Sequence, residues 1–469
     1  MEKVMSDTTS VEAAPALTDA DLAPNPPPDA AGAAAPWLEV VGVERLDVRG
    51  TRVEHFIIDA PLDGQQVPGR VLEISGWALG TTDKVGEIWV LQSGVDIRRV
   101  PMNVDRPDVL EARHRPDMPV RCGFLFRLAV LAGARPVTYE IVGAIDDDTL
   151  VPLAKITVRS TPLPGGVGML QPLMITTLGR SGSTLLMELL AHHPQIAAYS
   201  PRLYEARVSS YWVNVLKTLT QPASFLQAIA PTDLADPHWW LGTREPPPDL
   251  SLPDPRVWER MNSEGVDATV RFCLGRIESF YRHVAALSGR AEPRYFAEKL
   301  TPRAASAILW DLYPRTREVV LVRDFRDMVC SILAFNRKRG YNAFGYRDGQ
   351  TPAEYVRSLR LSVVRLAEAM ANRPEPPYVL RYEDLMRQPQ ETFAALMRYV
   401  GLASDPATVQ GVFEGTAELM PGMQQYHATC GSPDGSIGRW RSELAGEARA
   451  AARETFDPFL TRFGYEPTD

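Results

Sequence analysis

The sequence predicts an α/β fold: a P-loop-like parallel sheet flanked by helices, preceded by an all-β sandwich and a disordered N-terminal tail. Three observations carry this. Residues 171–196 pass from an apolar run through a Gly/Ser turn into helical leucine spacing at Leu185, Leu186, Leu189 and Leu190. A second β-branched run at 317–322 leads directly into a charged helix beginning near Arg323. Between 37 and 160 the texture is instead short alternating runs separated by turn residues, the pattern of a sandwich.

In chain order, residues 1–36 are rich in Ala, Pro and Asp, contain Pro26-Pro27-Pro28 and lack aromatics, which predicts a disordered tail. The sandwich spans 37–160, with strands expected at 53–58, 70–77, 87–92, 123–129, 137–145 and 153–158. Trp77 and Trp89 within it read either as a sugar-stacking platform or, with more weight, as buried core. Residues 161–170 form the linker, and 171–469 form the α/β domain. There, 230–260 is loop-like and carries Trp239-Trp240, either an acceptor-choosing loop or a surface excursion. Helical patterning follows at 266–287, 352–371 and 391–400.

The turn at Gly179, Arg180, Ser181, Gly182, Ser183 and Thr184 places free backbone N–H groups and a helix N-terminus together, which favours an anion. A nucleotide P-loop needs Gly-Lys-Ser/Thr, and no such lysine follows here. Arg180 offers a guanidinium fork for a terminal oxyanion, with Ser183 and Thr184 adding hydroxyl donors. Arg323 stands at the end of its strand, the ligand edge of a parallel sheet. Ser331 follows a little over two helical turns later, so the pair suits a second phosphate. The plain alternatives are a serine-rich turn that binds nothing and a solvated cluster of Arg323, Asp324, Arg326 and Asp327.

With these motifs in hand, the chain resembles the sulfotransferase superfamily, whose donor is 3′-phosphoadenosine 5′-phosphosulfate. GRSGSTLL corresponds to the family's 5′-phosphosulfate loop, and RDFRDMVCS to its strand-end Arg and Ser for the 3′-phosphate. YVLRYEDL places Tyr382 at the family's tyrosine near the adenine, and SIGRWRSEL resembles the segment that folds over the 3′-phosphate, with Arg439 the contact. Arg180 instead of Lys, Leu185 instead of Trp, and the lack of a Lys-x-His segment align it with the Golgi-type and bacterial branch rather than with phenol or steroid enzymes. That branch implies a glutamate base soon after the first helix, which falls on Glu205, and a lysine in an EKTP-like segment, which falls on Lys299. Glu205 reads equally as a surface acid paired with Arg202 or Arg207, and Lys299 as neutralised by Glu298. Thr301-Pro302 suits a helix start.

The resemblance implies sulfuryl transfer to a hydroxyl or amine of a glycan, glycolipid or other acceptor, with no metal. An ATP-using P-loop kinase and a non-catalytic carbohydrate-binding protein are the alternatives. A net charge of −8 argues against a nucleic-acid partner. Cys122, Cys273, Cys330 and Cys430 lack metal or disulfide-framework spacing, and Cys330 reads as helix packing. His192 and His193 read as packing and capping the first helix. No signal-like or membrane-length apolar run occurs, which predicts a soluble, cytoplasmic enzyme, unlike membrane-anchored Golgi relatives. Oligomeric state is not encoded in any readable pattern.

Overall fold

The computed structural model describes the chain except residues 1–36, 132–134, 147–148, 164–165, 167, 221–254, 291, 303, 372, 418–433 and 468–469. The tail, Trp239-Trp240 and Cys430 therefore lie outside the described residues, as does most of the 230–260 loop.

Residues 37–160 build two antiparallel sheets. The first contains β1 (Trp37–Arg45), β3 (Gln66–Pro68), β5 (Glu87–Gln92), β6 (Val95–Pro101), β8 (Val137–Ala144) and β9 (Leu150–Ser160), in the order β3-β1-β9-β8-β5-β6. The second contains β2 (Val53–Ala60), β4 (Val71–Gly80) and β7 (Gly123–Ala129), in the order β2-β4-β7. Both sheets contribute to one core, with Leu38, Ile88, Ile141 and Ile156 from the first and Ile74, Phe124 and Phe126 from the second. Alternation along β7 (Phe124, Phe126 and Leu128 inward) is what a sheet with one covered face requires. β1, β3, β6 and the short helix α1 (Pro107–Ala112) were not among the expected elements. Trp77 and Trp89 are both buried, in separate clusters with Cys122 and Val109 and with Val142 and Ala144. They form no shared platform.

Five parallel strands follow: β10 (Gln171–Thr177), β11 (Ile196–Ala198), β12 (Tyr295–Leu300), β13 (Arg317–Val322) and β14 (Tyr378–Arg381), ordered β11-β12-β10-β13-β14. All seven residues of β10 are buried because helices cover both faces. Leu173 and Ile175 pack with α2 (Ser183–His192) and with α11 (Pro389–Val400) through Phe393. Met174 points the other way, among residues of α4 (Val208–Thr220), α5 (Pro255–Leu287) and α6 (Ala304–Leu312). Helix α5 begins at Pro255, inside the stretch expected to be loop. Helix α6 begins at Ala304, so Pro302 is not its first residue.

β10 lies at the centre. From it the chain runs to β11 and β12 on one side, then crosses to β13 and β14 on the other. The crevice at the carboxyl ends of β10 and β13 is thus the switch point of the sheet, where α/β proteins bind ligands.

The sandwich is tied to this domain by buried polar contacts. Arg70, 1% exposed, donates to the carbonyls of Thr161 and Pro162 at 2.6 and 3.1 Å and pairs with Asp267 of α5 at 2.5 Å. Gln92 of β5 donates to Asp311 of α6. Asp311 is only partly covered as a residue, but its carboxyl is turned inward, and burial pushes it up to about 7.

Candidate active site

The loop after β10 is held by its glycines. Gly182 is the N-cap of α2 at φ 86°, and a Cβ there would stand 2.5 Å from the Tyr382 ring. A Cβ on Gly179 would stand 2.5 Å from the Phe344 ring. Both aromatic rings therefore lie on loop backbone that only glycine can present. Arg180 itself has φ 65°, a strained value for a long side chain. Ser181 Oγ donates to the Leu178 carbonyl at 3.1 Å, so this hydroxyl closes the loop. Ser183 and Thr184 open α2 and are half-buried.

Arg180 does not stand alone over the loop. Its Nε donates to Ser331 Oγ at 3.2 Å, and its guanidinium lies 4.9 Å from the Phe335 ring centroid. Ser331 and Phe335 share a face of α7 (Phe325–Arg339), which opens directly after β13. Arg323, 5% exposed, donates from Nη1 to the Arg180 carbonyl (3.2 Å) and from Nη2 to the Ser436 carbonyl (2.6 Å). Its Nε is buried with no partner among the described residues, an orphaned donor. The Tyr382 ring lies 4.6 Å beneath its guanidinium, and Tyr382 Oη is 3.0 Å from Ser436 Oγ. The loop, the strand-end arginine, the serine and the tyrosine thus share one crevice.

Residues 436–440 cross this crevice as a strap. Asp327 of α7 accepts from the Gly438 N–H at 2.6 Å and the Trp440 N–H at 2.9 Å. The Trp440 ring is covered by the Arg326 guanidinium at 3.9 Å. Arg439, between the two anchored amides, pairs with Glu443 at 2.7 Å. The Asp327 carboxyl is pushed up to about 6 by burial, which outweighs the two amide donors. Cys330, beside Ser331, is buried and its thiol is pushed up to about 12 by burial, which fits packing and not reactivity.

A second cluster occupies the same sheet edge across β12. Lys299 Nζ pairs with Glu205 at 2.7 Å, and Glu205 also accepts from Arg207 at 2.8 Å. Burial pulls the Lys299 ammonium below its usual range, against the pull of Glu205. Glu298 does not neutralise Lys299: alternation turns it to the other face, where Ser209 N, Ser209 Oγ and Tyr281 Oη donate to it. The turn carrying Glu205 is built from two left-handed residues, Tyr204 (φ 64°) and Arg207 (φ 47°). Tyr204 Oη anchors it by donating to Glu188 of α2 at 2.6 Å. Lys299 is opposite Ile175 in register, so it stands at the carboxyl end of the strand next to the loop's own.

His192 Nδ1 lies 2.9 Å from the Glu188 carbonyl, and His193 Nε2 3.0 Å from the Ala403 carbonyl, both packing roles. Sequence reasoning missed Asp327, Phe344 and the Tyr204–Glu188 anchor. Phe335, four residues after Ser331, was readable from helical spacing; Phe344 was not. Among the described residues no three His, Cys, Asp or Glu side chains converge as metal ligands, and no helix is long and apolar enough to cross a membrane.

A family model described as the sulfotransferase family matches residues 172–406, half of the chain. No curated protein matches. Among solved structures, sulfotransferase STF9 from Mycobacterium avium is similar at 15% identity over 64% of this chain and 78% of its own, with a TM-score of 0.31, too loose to inform any residue's role. The matched span begins inside β10 and takes in the loop, Arg323, Ser331 and Tyr382: the chain belongs to the sulfotransferase family.

Proposed function

We propose that this sulfotransferase draws its sulfuryl group from 3′-phosphoadenosine 5′-phosphosulfate and passes it to a hydroxyl or amine of a glycan, glycolipid or other small acceptor, without a metal. The observation that carries this reading is the crevice at the switch point. Arg180, Arg323 and Tyr382 from the ends of three neighbouring strands meet Ser331 of α7 there, and Arg323 Nε is a buried donor awaiting an acceptor. In this reading residues 37–160 are a sandwich module and 171–469 the transferase.

The donor's 5′ end sits on Gly179–Thr184, where backbone N–H groups and the α2 N-terminus meet its phosphate. Its 3′-phosphate takes Arg323, Ser331 and Arg439, and Tyr382 flanks the adenine. Donor entry parts Arg180 from Ser331 and frees its guanidinium for the phosphosulfate. The acceptor oxygen attacks sulfur in line, the new S–O bond forms as the bond to the 5′-phosphate breaks, and adenosine 3′,5′-bisphosphate leaves. Arg180 and Lys299 meet the charge growing on the leaving phosphate. Glu205 takes the acceptor's proton, a role worth ~10²–10⁴-fold when well placed. Such a reaction rests on positioning and charge, with no covalent enzyme intermediate, by analogy with phosphoryl transfer.

Calorimetry with adenosine 3′,5′-bisphosphate and with magnesium ATP tests the donor. Tight binding of the bisphosphate and weak binding of ATP is expected; no bisphosphate binding sinks the reading. Radiolabelled donor incubated with candidate glycans and glycolipids then identifies the acceptor.

A further inference from the structure

We propose that Asp327 is a positioning residue that holds the 436–440 strap across the donor's 3′ end and so sets the preference for a 3′-phosphorylated donor. The inference rests on the donor reading above. Asp327 anchors the strap to α7 by accepting from the N–H groups of Gly438 and Trp440 with its two carboxylate oxygens. Arg439 lies between these two anchored amides, so its backbone is held against α7. Arg323 fastens the strap at its other end through the Ser436 carbonyl at 2.6 Å, while Tyr382 meets Ser436 Oγ. Asp327 and Arg323 thus hold the strap at both ends, against the crevice that carries Arg323 and Tyr382. Glu443 holds Arg439 in the meantime, at 2.7 and 2.9 Å, and a phosphate dianion replaces that carboxylate.

A buried carboxylate is a poor choice for stability alone, because an apolar or amide residue avoids its desolvation. What it supplies is two acceptors for two donors. The Asp327→Asn substitution keeps one acceptor and presents an NH₂ to the other amide, so it releases half of the strap with little change in volume.

The test compares adenosine 3′,5′-bisphosphate with adenosine 5′-monophosphate by calorimetry, on the full chain and its Asp327→Asn and Asp327→Ala variants. Wild type is expected to prefer the bisphosphate. Both variants should lose at least about tenfold of that preference, while 5′-monophosphate affinity stays within about twofold; Asp327→Glu should restore part of it. Should Asp327→Ala fail to fold, hydrogen exchange on Asp327→Asn decides. Amides of the 434–444 peptide should exchange faster than in wild type and gain no protection from the bisphosphate. An unchanged preference, or unchanged exchange, overturns the proposal while leaving the donor reading intact. A wild type with no preference for the bisphosphate overturns the donor reading and this proposal together.

Discussion

At the residue scale the site depends on positions that tolerate no side chain. Gly182 combines φ 86° with the Tyr382 ring 2.5 Å from where a Cβ would stand. Gly182→Ala should cost about 1–2 kcal/mol from the backbone alone, plus the displacement of Tyr382. A lower melting temperature together with weakened bisphosphate binding checks it, and an unchanged melt would rule the constraint out. Arg323→Ala removes both the strap fastening and the orphaned donor, so bisphosphate affinity should fall by about 10²-fold, in line with the loss of a buried charge-assisted contact. Wild-type affinity in that variant would remove Arg323 from the site. Glu205→Gln separates catalysis from scaffolding: if Glu205 takes the proton, turnover drops while bisphosphate affinity holds. Equal loss of both would assign it to holding Lys299, with which it is paired at 2.7 Å.

At the scale of elements, what was legible follows from how local the signal is. β10, its loop and α2 form one continuous segment, so an apolar run, small residues and helical spacing predict them without knowledge of the rest. Arg323 and Ser331 were legible for the same reason, since α7 begins at once after β13. β1 hid because Gly42 sits at a bulge and breaks the alternation between Val40 and Val43. β6 hid because Arg98 points inward, donating to the Arg127 carbonyl, where an apolar residue is expected. The partnership of Glu205 with Lys299 depends on β12 lying beside β10, a strand order that no local pattern encodes. Asp327 was invisible as an anchor because its partners lie more than a hundred residues further on.

At the scale of the whole molecule, the buried junction between the antiparallel region and the parallel sheet makes stability depend on pH. Asp311, raised to about 7, holds its proton in the native state at pH values where the unfolded chain has released it. Its contribution is therefore fully present below about pH 4 and is lost as pH rises through about 7. The shift corresponds to something on the order of 4 kcal/mol of stability. Asp327, raised to about 6, acts with the same sign over a slightly lower window. Asp311→Asn, which still accepts from Gln92, should flatten the decline of melting temperature between pH 5 and 8 and melt higher than wild type at pH 8. A wild-type slope in that variant would place the dependence elsewhere.

The strap also has a consequence in time. Arg323 and Ser436 meet across 113 residues of chain. At ordinary rates of synthesis that interval is about 6–23 s. Throughout it the loop, α2 and the strand-end arginine already exist, while the carbonyl that Arg323 grips and the amides that Asp327 anchors have yet to be made. In the donor reading proposed above, a nascent chain at that stage carries the loop for the 5′ end and Arg323 and Ser331 for the 3′-phosphate, but lacks the strap that crosses them. In that reading, competence to hold the whole nucleotide arrives late in synthesis, when residues 436–440 come down onto α7.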